Sequence, residues 1–405
     1  MPLTNIKVIG VGGGGGNAVN RMSRDFIRGV DFVAINTDHQ DLDHCDVKKK
    51  IYIGKSLTKG LGAGMNPELG RQAAEENRSE IAGAVEGADL VFITAGMGGG
   101  TGSGAGPIVA EVAKASGALT FAVITKPFEF EGTQRSRIAE DAIAQMKDKV
   151  DALIVVPNDR IFSVISKDTP VKKAFEAIDE VLRNALEGIV EMIMTPGLIN
   201  VDFADIRGIV ENAGLAIIGV GTASGQDRAV AAVNTALHSP LLEVSAEGAH
   251  GVVLGISGGA DLKMTEINDA AKLVRQTVDP SAKIIFGAYH DRKLKPNQIK
   301  VTIIATGFSA SQQGNSLFGA SFAAPHTYLS EDRPLKAVLS DEERSEFGES
   351  RSKKEKKEPG AVPSENVKYT PAVPKGIFGP RDEFEEKEED SSPWDIPTFL
   401  RKRKK

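Results

Sequence analysis

Residues Ala95-Gly-Met-Gly-Gly-Gly-Thr-Gly-Ser-Gly-Ala-Gly-Pro107 decide how this chain is read. Seven glycines in thirteen positions contribute no side-chain burial, and each costs backbone entropy on folding, which argues against a packing role. Such a run belongs where backbone N–H groups crowd against a ligand, and the usual ligand for converging N–H groups is a phosphate. Thr101 and Ser103 add hydroxyls within the same curve. Asp89 to Thr94 before it reads as a buried strand, and Ile108 to Lys114 after it reads as a helix. A glycine loop in that setting brings a helix N-terminus, with its partial positive charge, to the phosphates.

Upstream lies a second glycine run, Gly10-Val-Gly-Gly-Gly-Gly-Gly-Asn-Ala-Val-Asn20, directly after an apolar stretch at Ile6 to Ile9. It satisfies G-x-G-x-x-G, with Asp31 placed as a ribose acid would be, so alone it favours a dinucleotide oxidoreductase. Five consecutive glycines exceed what that fingerprint needs, and a second cradle suits a polyphosphate chain better than one bridging pyrophosphate. A Walker loop is absent: Gly54-Lys55-Ser56 resembles its end, but Lys49 stands where the leading glycine belongs.

Short apolar runs at residues 6–9, 32–35, 90–93, 120–124 and 152–156 alternate with helical patterns such as 68–85 and 136–149. That alternation predicts a doubly wound, Rossmann-like parallel sheet with ligand loops at the strand carboxyl ends. Val171 to Met194 reads as one long helix, with Pro170 at its start and Pro196-Gly197 past its end. A second α/β block follows, with strands at 216–220, 251–256, 283–286 and 300–305 and helices at 228–237 and 264–278.

Past Phe308 the periodicity fades, and residues 310–390 read as a disordered linker of Ser, Glu, Lys and Pro. Residues 391–405 place Trp394, Ile396, Phe399 and Leu400 before five cations, the shape of a docking peptide with a basic end. The 405 residues suffice for two domains, and one cysteine, Cys45, fits a reducing cytosol. No apolar run is long enough for a membrane span, no signal peptide is apparent, and six scattered histidines make no zinc motif. A net charge of −6 argues against general nucleic-acid binding. The expectation is a soluble cytoplasmic protein.

The run Gly98-Gly-Gly-Thr-Gly-Ser-Gly104 resembles the signature of the tubulin superfamily, and the remaining loops resemble its bacterial branch, the FtsZ cell-division GTPases. The likeness covers nearly all of residues 5–309 and recurs in the last fifteen. It implies a GTP-binding domain over 1–170, a central helix over 171–196 and a C-terminal α/β domain over 197–309. The same resemblance implies that Gly13, Gly14, Gly15, Gly16 and Asn17 contact the phosphates, while Gly100, Thr101 and Gly102 cradle the β- and γ-phosphates. Asn36-Thr-Asp38 and Gly62 to Pro67 resemble further phosphate loops, the second expected to sense the γ-phosphate. Asn158-Asp-Arg160 resembles another nucleotide-side loop.

Glu131 and Arg135 are spaced for an ordinary i,i+4 ion pair, and the resemblance implies ribose contacts for them. Phe175 and Asp179, one turn apart, share a helix face, which on spacing alone suits a packed aromatic beside a solvated acid. The resemblance implies instead that Phe175 stacks on guanine and Asp179 accepts from its N1 and N2, with Glu180 able to share that role. In Gly197-Leu-Ile-Asn-Val-Asp-Phe-Ala-Asp205, Asp202 reads as an N-cap with Asp205 in the first turn. The resemblance implies a catalytic loop that enters the next subunit's pocket, where Asp202 and Asp205 act on water and Asn200 supports them.

The implied cofactors are GTP and Mg2+, with no dedicated protein metal cluster. The implied partners are the protein itself, as a head-to-tail homopolymer, and membrane-anchoring and regulatory division proteins held through 391–405. The implied role is a polymerising GTPase that builds the cytokinetic ring at the mid-cell division site. A tubulin-like filament for another cargo, such as DNA segregation, is the alternative; the docking peptide at 395–400 argues against it.

Overall fold

The computed structural model describes residues 4–24, 29–166, 168–238, 246–291 and 293–308. The expected linker at 310–390 and docking peptide at 391–405 lie outside the described residues.

Strand β1 (Ile6–Val11) runs into helix α1 (Gly12–Arg24), then β2 (Val30–Asn36), α2 (His39–Asp43), β3 (Lys49–Tyr52) and α3 (Lys55–Thr58) follow. Next come α4 (Pro67–Glu76), α5 (Arg78–Val85), β4 (Leu90–Gly96), α6 (Gly100–Ala115), β5 (Leu119–Lys126), α7 (Thr133–Lys147) and β6 (Ala152–Pro157). The long α8 (Val171–Met194) leads to α9 (Phe203–Val210), β7 (Gly214–Ser224), α10 (Arg228–Leu237) and β8 (Gly251–Gly258). The described chain closes with α11 (Met264–Thr277), β9 (Lys283–His290) and β10 (Gln298–Thr306).

The strands form one sheet in the order β3-β2-β1-β4-β5-β6-β7-β10-β8-β9. From β3 to β6 all neighbours are parallel. The order 3-2-1-4-5-6 is the doubly wound arrangement, whose chain reverses direction across the sheet between β1 and β4. A crevice opens there at the strand carboxyl ends, where both glycine runs lie. The second half of the sheet is mixed: β10 runs antiparallel to β7 and β8, while β8 and β9 are parallel.

Burial explains the strand signals. Leu90 to Ala95 and Leu119 to Ile124 are buried throughout, so both strands read as continuous apolar runs. One core layer lies under α4–α7, another under α1 and α8, and a third beneath α10 and α11. The α8 helix buries Ile178, Leu182, Ala185, Leu186 and Ile189 on one stripe. No described helix is long and apolar enough to cross a membrane.

Two sequence expectations need correction. The single helix expected over 68–85 is two, because Asn77 ends α4 and opens α5 while its Oδ1 accepts from Gly54 N at 2.9 Å. The glycines of 95–107 also pack, contrary to their reading as ligand-facing only. Helix α6 starts at Gly100 rather than after Pro107, and the glycines fill its first two turns. Pro107 lies inside the helix, where a proline ordinarily marks a boundary. Any Cβ at Gly104 would collide with the Pro67 carbonyl of α4, and one at Gly102 with the Gly96 carbonyl. The run therefore lets α6 lie directly on α4 and β4, and so fixes where its N-terminus points.

Candidate functional site

A cavity of about 400 Å³ occupies the crevice above β1 and β4. Its floor is the start of α1, through Gly13, Gly14 and Asn17, and the start of α6, through Gly99, Gly100, Thr101 and Gly102. Neither helix has an acidic residue in its first turn, and α6 has no side-chain cap. Their N-terminal N–H groups and partial positive charge therefore face the cavity uncancelled by carboxylates. Gly12 reaches its turn at φ +71°, with its α-carbon side closed off by the Gly102 backbone, so the two helix starts touch.

Not every predicted contact faces the cavity. Gly15 is buried against the Thr94 carbonyl, and Gly16 borders a small neighbouring cleft beside Cys45. The Thr101 hydroxyl pairs with that of Thr37 at 2.7 Å, and both are buried. Loop 61–65 forms the lip. Its Gly64 carbonyl accepts from Gly100 N at 2.6 Å, so an anion taking that N–H must displace the loop.

The opposite wall comes from the chain after β5. Arg135 Nη1 and Glu131 Oε2 pair at 2.7 Å, as their spacing predicts, and both residues line the cavity. Glu131 Oε1 also accepts from Phe128 N at 3.0 Å, which fixes the carboxylate at the rim.

The far end is built by α8. Phe175, Ile178, Asp179 and Leu182 line it on successive turns. Phe175 meets Phe128 edge to face at 5.6 Å, so one part of its ring is core and another borders the cavity. Asp179 faces inward, whereas Glu180 turns outward to Arg183 at 3.6 Å. Burial pushes the Asp179 carboxyl up to about 6, although Arg21 pulls it down. Arg21 Nη2 stands 2.6 Å from Asp179 Oδ2. The sequence reading missed Arg21; its signal was the i,i+4 step from Asn17 along α1.

Unpartnered polar atoms mark the cavity as a binding site. Among the described residues, the buried side-chain atoms without a hydrogen bond are Arg21 Nε, His39 Nε2, Asn158 Oδ1 and Asp179 Oδ2. All but His39 belong to residues lining this cavity. Buried polar groups are ordinarily bonded, so this concentration is what a missing polar ligand leaves behind.

Asn200, Asp202 and Asp205 do not line the cavity. Asn200 and Asp202 lie on the link from α8 to α9, Asp205 in the first turn of α9, and all three are exposed. Asn200 Oδ1 accepts from Gly197 N at 2.6 Å, and Asp202 caps α9 by accepting from Ala204 N at 3.0 Å. The capping read from sequence is therefore present. The exposed Asp205 side chain has no hydrogen bond or ion pair among the described residues. Leu198 and Ile199 donate to Ala288 O, which ties the start of the loop to β9.

Residues 5–166 match the Tubulin/FtsZ family GTPase domain, and residues 214–309 match the FtsZ family C-terminal domain. An empty FtsZ dimer from M. jannaschii is similar at 46% identity, over 75% of this chain and 88% of that chain, with a TM-score of 0.70. A GTPγS-bound CetZ2 protofilament from Haloferax volcanii shares the fold at 22% identity, over 78% of this chain and 96% of that one, with a TM-score of 0.66. CetZ1 from the same organism, a GDP-bound monomer, does so at 24% identity, over 78% and 97%, with a TM-score of 0.65. The parallel sheet with two helix N-termini in one crevice, and the FtsZ matches on both sides of α8, place this chain in the FtsZ branch of the tubulin-like GTPases.

Proposed function

We propose that the protein is a polymerising GTPase whose head-to-tail filaments build the division ring, with GTP hydrolysed between subunits. One observation carries this reading: the cavity holds cradles for a polyphosphate, and the carboxylates that line it are already committed in whole or in part. Glu131 is bonded to Arg135, Asp38 caps α2 through Gln40 N and Asp41 N, and Asp179 lies at the other end. The unpaired carboxylate of Asp205 stands instead on the exposed first turn of α9. Phosphoryl transfer depends mainly on positioning and electrostatics, so a loop entering from the next subunit supplies what the cavity lacks. A head-to-tail contact of this kind leaves open ends and grows filaments.

This reading assigns roles along the nucleotide. Gly13, Gly14, Asn17, Gly100, Thr101 and Gly102 take the phosphates, Glu131 and Arg135 the ribose, and Phe175 and Asp179 the base. Ionised Asp179 matches the adjacent N1 and N2 donors of guanine, which adenine lacks. Mg2+ would be held at the phosphate end by phosphate oxygens and water. Bound there, Mg2+ would offset phosphate charge.

In this reading 1–170 binds nucleotide, 171–196 connects, 197–309 presents the catalytic loop, 310–390 tethers, and 391–405 docks the filament to anchoring and regulatory proteins on the cytoplasmic side of the division site. Light scattering with electron microscopy tests it. The expected outcome is GTP- and Mg2+-dependent single-file filaments. A protein that hydrolyses GTP as a monomer and never assembles would refute it.

A further inference from the structure

Arg21 and Asp179 make an incomplete contact. The side chains are 25% and 15% exposed, and Nη2 approaches Oδ2 to 2.6 Å. Yet neither Arg21 Nε nor Asp179 Oδ2 has a hydrogen bond of proper geometry. The two come from α1 and α8, which meet at the base end of the cavity. A fully paired arginine and carboxylate form a fork with parallel bonds. Here the charges touch through one nitrogen and one oxygen, and Arg21 Nε, buried beside them, has no hydrogen bond. We infer that Arg21 is a positioning residue for base selection: it holds Asp179 as a fixed, charged acceptor at the end of the cavity that the base would take. This inference rests on the reading of Asp179 as the guanine acceptor.

The charges around Asp179 support it. Burial works against its ionised form, Glu176 on the same helix does so too, and Arg21 from α1 opposes both. Asn158, which faces the cavity from the turn after β6, is neutral. Glu131 and Arg135 on the far wall neutralise one another, and Glu180 points outward to Arg183. Arg21 is thus the cation that keeps the acceptor charged. Removing it moves protonation of Asp179 toward neutral pH, where guanine binding then weakens.

The test is the equilibrium affinity of the full chain for GTP between pH 5.5 and 8.5. Wild type loses affinity below about pH 6. In R21Q that loss begins at least one pH unit higher, so affinity falls about twofold at pH 7 and about tenfold at pH 6 below its own value at pH 8.5. R21K restores the wild-type profile, and R21M stands in for R21Q should the latter fail to fold. An R21Q profile that tracks wild type, or falls by one factor at every pH, overturns the inference. D179N separates it from the reading beneath: unchanged GTP affinity in D179N sinks the guanine assignment itself. Low, flat affinity in D179N with an unmoved R21Q profile sinks only the role of Arg21.

Discussion

The cavity above β1 and β4 is a half-open crevice with buried polar atoms that lack hydrogen bonds, whereas the segment 197–205 is largely exposed and its polar atoms are mostly spent on itself. Arg21 Nε and Asn158 Oδ1 have no hydrogen bond in the cavity wall, and Asp179 Oδ2 has only its ion pair with Arg21. On the loop, Asn200 and Asp202 hold their own backbone, and only Asp205 presents a side chain without a partner. One region is preorganised to bind, and the other is preorganised to be presented. In the proposed reading neither holds the whole active site, so binding and turnover should respond separately to substitution.

The sharpest way to break this contrast is Asp205→Ala. Loss of a carboxylate acting on water lowers turnover on the order of 10²–10⁴-fold, while GTP affinity stays within about twofold. Steady-state hydrolysis compared with equilibrium binding checks this; equal loss in both would place Asp205 in the binding region.

The glycines give a second division, between packing and phosphate contact. Gly104→Ala forces a methyl against the Pro67 carbonyl, at a cost of about 1–3 kcal/mol or more, and displaces the α6 N-terminus. Gly16→Ala meets nothing within 4 Å and leaves stability and affinity near wild type. Thermal unfolding and nucleotide binding of the two variants decide it, and equal outcomes would refute the packing role.

Acidity separates the cavity from the loop. The Asp179 carboxyl is raised to about 6, so it protonates as pH falls through that value and its acceptor is lost. GTP affinity then drops by up to tenfold per unit below about pH 6. Folding of the empty protein responds with the opposite sign: the buried charge disfavours the native state above about pH 6, and protonation relieves it. A flat binding profile between pH 5 and 7 would contradict this.

The smallest effect concerns Asp202. Asp202→Ala removes the α9 cap and costs about 0.5–2 kcal/mol, whereas Asp202→Asn keeps most of that stability. If Asp202 also acts on water, both variants lose turnover; if it only caps, Asp202→Asn remains active.

Much of this architecture is legible in the sequence, for physical reasons. Pro170 and Pro196-Gly197 bracket α8, and the structure places it at Val171–Met194 as read. The central strands show because both faces are buried. The start of α6 was misplaced because Pro107 tolerates a helix interior here, and because glycines that pack look like glycines that bind. Helices α2 and α3 and strand β3, at five, four and four residues, are too short to show a period. The insertion of β10 between β7 and β8 leaves no local mark, since pairing between distant strands is not written in periodicity. Arg21 stayed hidden for the same reason: its partner lies on α8, far along the chain. For the segment 197–205, residue pattern shows the Asp202 cap and the place of Asp205 in the first turn of α9, as the structure has them.

The central claim is that the two regions meet only between subunits. Hydrolysis per subunit, measured across a wide range of protein concentration at saturating GTP and Mg2+, tests it most directly. The account predicts almost no turnover below a threshold concentration and a steep rise to a plateau above it. Constant turnover per subunit down to the most dilute sample would contradict it.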